Sequence, residues 1–199
     1  MAFFRVIPNI TIMAPKDFEE LHQMMDFAMA LKKPVTIRYP RGGEDDIKFK
    51  KHSKIFLGKS EKIKDGNDVT IIAIGKMVAR AVKIAQNLEK SNIHAEVINA
   101  RFLKPFDANY VTKSIKKTRF VITIEDGTLI GGLGTEVKEL LANNRMKNVK
   151  IKSFGYPDKF IKHGSVQELE KIYGLDEKNI ESYIKYNYNK KIEKNVEKK

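Results

Sequence analysis

The chain has 199 residues, of which 42% are hydrophobic, and a formal net charge of +13 at pH 7. Cysteine is absent, which excludes a disulfide framework, a thiolate zinc site and a cysteine nucleophile, and no apolar run approaches the ~20 residues that span a membrane. The positive charge suggests nucleic acid, but in segments 48–64 and 185–199 lysine far outnumbers the aromatic residues, which are Phe49, Phe56, Tyr186 and Tyr188, so we predict a solvated lysine-rich surface.

Residues 1–45 predict a strand, a helix and a second strand. The first strand covers 10–14, and Asp17 is placed to cap the helix that follows. Glu19 and Glu20 fall in the first turn, where the helix dipole favours acidic side chains. The apolar residues at helical spacing are Phe18, Leu21, Met25, Ala28 and Leu31. The second strand covers 34–41, so the segment is a βαβ unit, and we expect it to be the tail of a domain whose front is missing.

The second strand ends in an arginine that is well placed to bind an anion. Pro40 cannot donate to a central ladder, and Gly42 and Gly43 let the chain turn sharply behind Arg41. The guanidinium then lies at the carboxyl end of a strand, where open α/β sheets bind their ligands. Its planar fork suits a phosphate or a carboxylate. The alternative is a surface arginine beside a turn.

The remainder of the chain predicts a parallel α/β domain over 68–186. Residues 46–67 are charged and weakly periodic, which predicts a linker with a short edge strand at 54–59. The predicted strands after it are 69–74, 95–99, 120–124 and 149–154. Helices alternate with these strands, which is typical of a parallel sheet with right-handed crossovers. Residues 187–199 lack an apolar face, so we predict a disordered lysine-rich tail.

Three further features could carry chemistry. Glu125 and Asp126 follow a strand and are either an acid–base carboxylate or a pair of caps and ion-pair partners. The loop Gly131–Gly134 precedes a helix and suggests a phosphate cradle, but it lacks the P-loop and Rossmann spacings, so close helix–strand packing is favoured. The histidines, which share no metal-ligand spacing, are His22, His52, His94 and His163.

Five groups of motifs stand in a fixed order along the chain. They are Arg5–Asn9 with Met13–Pro15, Ile37–Gly42, Asn99–Asp107, Thr123–Gly127 with Gly131–Gly134, and Gly155–Gly164. Together they resemble the C-terminal portion of the 1-deoxy-D-xylulose-5-phosphate synthases, thiamine-diphosphate enzymes of the transketolase superfamily. The run Arg38-Tyr39-Pro40-Arg41-Gly42 favours these synthases over transketolase itself.

The resemblance implies a fold and an activity for the whole protein. Residues 1–45 would end a pyrimidine-binding-type α/β domain, and 68–186 would form a transketolase C-terminal-domain-like, three-layer sandwich around a parallel sheet. The complete enzyme condenses pyruvate with glyceraldehyde 3-phosphate, with loss of carbon dioxide, to 1-deoxy-D-xylulose 5-phosphate. This product feeds isoprenoid, thiamine and pyridoxal synthesis, in a bacterial cytoplasm or a plastid-type organelle.

The resemblance also assigns residues and partners. Arg41 matches the family arginine that binds the phosphate of glyceraldehyde 3-phosphate, and Arg38 is expected to make a structural ion pair. Glu125, the Gly131–Gly134 loop and His163 receive no role. The family's catalytic residues and its thiamine diphosphate and magnesium ligands lie upstream of Met1, so we expect no catalytic, cofactor-binding or metal-binding residue in this chain. We expect an inactive fragment or the distal half of a split enzyme.

The expected partners are the protein's own N-terminal domains or a separate subunit that carries them, a second copy in a homodimer, and the two small substrates. Nucleic acid and membrane are not expected. The alternatives are a non-catalytic dimerisation or interaction domain and the distal half of a split transketolase or E1-β-like enzyme. An unpaired edge of the βαβ unit predicts self-association, or a mobile N-terminal segment packed on the later domain.

Overall fold

The computed structural model describes residues 1–40, 43, 47–49 and 52–196, with side chains up to residue 190. The strands are β1 Thr11–Met13, β2 Val35–Ile37, β3 Glu61–Lys64, β4 Val69–Ala73, β5 Ala95–Asn99, β6 Phe102–Lys104, β7 Phe120–Thr128 and β8 Lys150–Tyr156. The helices are α1 Phe18–Leu31, α2 Met77–Glu89, α3 Ala108–Thr118, α4 Leu133–Asn143, α5 Val166–Ile172 and α6 Glu177–Val196, and a 3-10 helix spans Phe3–Val6.

The larger sheet is the centre of a three-layer α/β sandwich, as predicted. Its spatial order is β3-β5-β4-β7-β8, and its last four strands run parallel. Every residue of β4 is buried, because α2 and α6 cover one face of the sheet while α3 and α4 cover the other. Strands covered on both faces need apolar residues at nearly every position, which is the pattern of Val69–Ile74.

The stretch predicted as a linker contains β3, one of the two edge strands of this sheet. β3 pairs antiparallel with β5, with Glu61 opposite Asn99. The strand predicted at 54–59 is therefore wrong in position, because the described residues 52–60 contain no strand. The sequence pattern missed β3 because Glu61–Lys64 contains a single apolar residue, Ile63. Such a composition is possible in an edge strand, which is solvated on one side.

The smaller sheet joins the N-terminal βαβ unit to the rest of the chain. β1 and β2 pair in parallel, which confirms the predicted unit. On its other edge β1 pairs antiparallel with β6, a strand that the sequence did not predict. Ala14 N–H also donates to the Arg101 carbonyl at 2.9 Å. The N-terminal βαβ unit and the later domain thus both contribute strands to the smaller sheet.

Helix α1 begins where predicted but buries a different face. The Asp17 carboxylate accepts the Glu20 N–H at 2.7 Å, which confirms the cap. The buried residues of α1 are Glu20 and Met24, whereas Phe18 is 48% exposed and Met25 is 54% exposed. The prediction that the apolar stripe is the buried face of α1 is therefore wrong within this chain. An ion-pair cluster occupies the inward side of the first turn instead.

The N-terminal segment packs on α4. Arg5 forms ion pairs with Glu136 and Glu139 of that helix. Lys104 Nζ fixes the same segment by donating to the carbonyls of Arg5 at 2.9 Å and Ile7 at 2.7 Å. This arrangement fits the second expectation, in which the segment packs on the later domain.

Helix α6 continues through 187–196, where the sequence predicted a disordered tail. Tyr188 donates its hydroxyl to Asp68 at 2.8 Å, and Asn187 accepts a hydrogen bond from Lys150. These polar anchors replace the apolar face that the tail lacks. With 20 residues α6 is the longest described helix, and none of the described helices combines the length and hydropathy needed to cross a membrane.

Candidate anion-binding site

The carboxyl ends of β1, β2 and β4 meet at one place. Arg38 N–H, just after β2, donates to the Met13 carbonyl of β1 at 2.9 Å. A Cβ placed on Gly75, just after β4, would lie 3.4 Å from the Ala14 Cβ and 3.8 Å from the Pro15 carbonyl oxygen. The predicted ligand-binding edge is therefore built from both sheets.

A small cleft opens at this edge. Its lining includes Pro15, Lys16, Asp17, Phe18, Leu21, Tyr39, Pro40, Gly43 and Lys76. Arg41, the residue predicted to bind an anion, lies outside the described residues. Its nearest described neighbours in the sequence, Pro40 and Gly43, both line the cleft.

A cluster of alternating charges borders the cleft. Asp126, near the end of β7, lies 3.2 Å from both Arg38 Nη2 and Lys76 Nζ. Glu170 of α5 lies 2.7 Å from Arg80 Nη2 and 3.7 Å from Lys76 Nζ. The predicted structural ion pair of Arg38 is confirmed. Of the two interpretations of Asp126, the structure shows the ion-pair partner.

Glu125 caps α4 and is fully enclosed. Its two carboxylate oxygens accept the N–H groups of Leu133 and Gly134, each at 2.9 Å. Burial raises the pKa of Glu125, and the two backbone N–H bonds only partly oppose that effect. A Cβ on Gly132 would lie 2.0 Å from the carboxylate, so only glycine fits there. The N-terminus of α4 is thus filled by the chain's own anion rather than open to phosphate.

The glycine loop also permits close packing of helix on strand, as favoured from the sequence. A Cβ on Gly134 would lie 2.5 Å from Ser153 Oγ and 3.2 Å from Thr123 Oγ1, both on the sheet beneath. The packing interpretation of Gly131–Gly134 is confirmed.

The four histidines do not form a metal site together within the described structure. His163 is exposed in the loop between β8 and α5, and His52 Nε2 lies 2.6 Å from Asp17 Oδ2. Within the described part of the chain, no three His, Asp or Glu side chains are grouped so that they could hold a metal ion. Among the described residues that line the cleft, Asp17 is the one carboxylate, and it is already engaged by the Glu20 N–H and by His52. The described residues therefore do not fit a magnesium–diphosphate site.

A buried ion-pair cluster, which sequence reasoning missed, lies behind the cleft. Glu20 binds Lys16 Nζ at 3.1 Å and Arg101 Nε at 2.7 Å. Glu61 of β3 binds the same two cations at 2.9 Å and 3.1 Å. Asn99 Nδ2 donates to both Glu20 oxygens at 3.0 Å. The cluster ties α1 to β3 and β5, and the only hint in the sequence is the spacing of four between Lys16 and Glu20.

Arg101 reaches this cluster from an unusual backbone conformation. Its φ is +56°, in the left-handed region that side chains other than glycine rarely adopt, and its N–H donates to Asn99 Oδ1 at 3.1 Å. Burial alone would raise the pKa of Glu61, but Lys16 and Arg101 outweigh it and hold the pKa below its ordinary value of 4.5. The turn therefore directs a guanidinium at Glu61, whose carboxylate is held in its charged form.

Comparisons with known proteins agree with this geometry. The synthase "1-deoxy-D-xylulose-5-phosphate synthase" of Halothermothrix orenii is 42% identical over 93% of this chain, and that of Clostridium tetani is 39% identical over 90%. This chain covers 29% of each of these relatives. A solved structure described as a split gene transketolase, inactive beta4 tetramer, superposes with a TM-score of 0.86 at 31% identity. That match covers 94% of this chain and 61% of the other.

A sequence model of the family "Transketolase, C-terminal domain" matches residues 58–180. The match begins three residues before β3 and ends in α6, so it includes the whole larger sheet. Because this match spans more than half of the chain and agrees with the three-layer fold, the protein belongs to the transketolase C-terminal domain family.

Proposed function

We propose that this chain acts as the C-terminal part of a 1-deoxy-D-xylulose-5-phosphate synthase. The observation that carries the proposal is identity of about 40% to such synthases along nine-tenths of the chain. The whole protein would condense pyruvate with glyceraldehyde 3-phosphate, with loss of carbon dioxide, to 1-deoxy-D-xylulose 5-phosphate. The compartment, a bacterial cytoplasm or a plastid-type organelle, stays a prediction.

Within that reaction, this chain would bind and orient the aldehyde. We propose that Arg41 donates to the phosphate of glyceraldehyde 3-phosphate. Three points support it: the fork geometry of guanidinium, the place of Arg41 in the sequence four residues after β2, and the cleft lined by Pro40 and Gly43. A phosphate held there would fix one end of the aldehyde and leave its carbonyl free to turn toward the reacting centre.

Thiamine diphosphate and magnesium would be held outside this chain. The described carboxylates near the cleft are engaged by helix α1, by His52 or by buried cations, so they do not offer ligands for a metal ion. Thiamine diphosphate supplies the carbanion chemistry of such enzymes when it is bound. The proposed partner is therefore the rest of the same protein or a separate subunit with those domains.

A chimaera tests this function. The matching C-terminal 29% of the Halothermothrix orenii synthase is replaced by this chain, and formation of 1-deoxy-D-xylulose 5-phosphate is followed. We expect an active chimaera whose KM for glyceraldehyde 3-phosphate rises about tenfold or more on Arg41→Met, as expected for loss of a charged hydrogen bond. The KM for pyruvate should not change.

The matched control is Arg119→Met, because the guanidinium of Arg119 is exposed and donates only to the Lys147 carbonyl at 3.2 Å among its described contacts. It should leave both KM values unchanged. A folded chimaera that makes no product, or one in which the two arginine variants behave alike, would contradict the proposal.

A second candidate is the distal half of a split transketolase or E1-β-like enzyme, with a homodimer or larger self-assembly. The likeness to a split gene transketolase described as an inactive beta4 tetramer favours it. The test is to titrate a separately produced N-terminal portion of the synthase into this chain and to measure turnover and assembly mass. Recovered turnover supports a split enzyme. Stable self-assembly without turnover supports a non-catalytic interaction domain instead.

A further inference from the structure

Lys76 brings a second positive charge to the cleft. It follows β4 and precedes α2, and it lines the cleft together with Tyr39, Pro40 and Gly43. Its side chain is 28% exposed, so it is only partly buried. The cation thus lies on the same cleft as Pro40 and Gly43, the described residues nearest to Arg41 in the sequence.

The ion-pair cluster beside the cleft has a surplus of positive charge, and Lys76 is the cation of this cluster that lines the cleft. Arg38 already pairs with Asp126, and Arg80 pairs with Glu170. Lys76 Nζ lies 3.2 Å and 3.7 Å from these same carboxylates, longer than the ~2.8 Å of a strong charge-assisted bond. Among these five side chains, three cations therefore share two carboxylates. If Lys76 moves away, each carboxylate still has an arginine as its partner.

The other charged residues described on the cleft, Lys16 and Asp17, cannot turn toward a ligand, because other residues hold them. Lys16 has a fully buried side chain and is held by Glu20 and Glu61. Asp17, the anion on the cleft, accepts from the first turn of α1 and lies 2.6 Å from His52. Among the described lining residues, Lys76 is therefore the cation that can respond to a ligand.

We propose that Lys76 is a second phosphate-binding residue of this site, turning its Nζ from Asp126 and Glu170 to a phosphate oxygen when the ligand enters. This inference rests on the proposed function, since it assumes that a phosphorylated substrate enters the cleft beside Arg41. A phosphate monoester carries close to two negative charges at neutral pH, so two cations match it better than one. Arg38 and Arg80 keep the two carboxylates paired meanwhile.

The test is a titration of the full 199-residue chain with inorganic phosphate, followed by amide chemical shifts. We expect Lys76→Met to weaken binding about tenfold, as for loss of one charged hydrogen bond, and Lys76→Arg to restore it to within about twofold. Lys76→Gln is a second neutral variant, used if the methionine variant does not fold. The matched control is Lys90→Met at the far end of α2, where Nζ is exposed and bonds Asn87 at 3.0 Å, and it should change nothing.

Arg41→Met separates this inference from the function on which it rests. If it abolishes phosphate binding while both neutral Lys76 variants bind like the wild type, Lys76 has no such role and the proposed function stands. If neither residue affects binding, or if the wild-type chain does not bind phosphate saturably, both proposals are overturned. If only Lys76 matters, the assignment of Arg41 is wrong and that of Lys76 is supported.

Discussion

Replacing Glu20 by glutamine should destabilise the protein strongly, because this side chain neutralises two buried cations. Its carboxylate accepts hydrogen bonds from Lys16 Nζ at 3.1 Å, Arg101 Nε at 2.7 Å and Asn99 Nδ2 at 3.0 Å. The amide nitrogen of glutamine cannot accept from any of these donors. The substitution leaves Lys16 and Arg101 with Glu61 as their one remaining carboxylate in the cluster.

The magnitude follows from this uncompensated charge. Removing one member of a buried ion pair typically costs about 3–5 kcal/mol, because the other charge stays buried without a partner. A domain is usually stable by about 5–15 kcal/mol, so the loss is a large fraction of the free energy of unfolding. At about 2–4 °C per kcal/mol for a chain of this length, the melting temperature should fall by roughly 6–20 °C.

Urea unfolding followed by circular dichroism measures this change, and urea is preferred to guanidinium because it does not screen charges. The matched control is Glu19→Gln, one position earlier on the exposed side of α1, which should change the free energy of unfolding by less than about 0.5 kcal/mol. Limited proteolysis should also release residues 1–40 first, since the cluster ties α1 to the larger sheet.

A second variant tests the charge argument itself. Arg101→Met combined with Glu20→Gln removes one charge of each sign and leaves Lys16 paired with Glu61. The double variant should therefore be more stable than the sum of the two single effects by about 1–3 kcal/mol. A loss below about 1 kcal/mol for Glu20→Gln, or strictly additive effects, would refute the reasoning.

The remaining predictions concern the packing of Gly132, the pKa of Glu61 and the hydrogen bond between Tyr188 and Asp68. Gly132→Ala should cost about 1–3 kcal/mol in urea unfolding, because its Cβ would lie 2.0 Å from the Glu125 carboxylate; Gly127→Ala, with 3.9 Å to the same group, should be tolerated. The lowered pKa of Glu61 means that its stabilisation is present above about pH 4.5 and is lost as the pH falls through the folded-state pKa. Urea unfolding of Glu61→Gln should accordingly show a flatter pH dependence between about pH 5 and pH 3, and an unchanged slope would contradict the assigned pairing. Tyr188→Phe removes a 2.8 Å hydrogen bond to the start of β4 and should speed amide exchange in the last turns of α6 while exchange in β4 stays slow.

Local sequence patterns determined the elements of this protein and part of its site. The apolar run Val69–Ile74 predicts a strand covered on both faces, and each of its residues is buried. Asp17 stands where an N-cap is expected, and it accepts a backbone N–H from Glu20, three positions later. Pro40, Arg41 and Gly42 likewise predict a strand end nearby, and β2 ends at Ile37; anion binding by Arg41 stays a prediction. These features depend on neighbours within a few positions, which the sequence displays directly.

The tertiary structure alone decided how the two units join. Strand β6 has three residues, too few for a periodic signal, and its partner β1 lies about 90 positions earlier. Glu20 fits the first turn of any helix, yet its ligand Arg101 is 81 positions away; Arg38 and Asp126 are 88 apart. Such pairs form because parallel strands bring their carboxyl ends to one edge, where burial makes opposite charges pair. Which charges meet there depends on the packing of whole elements, and no local pattern encodes it.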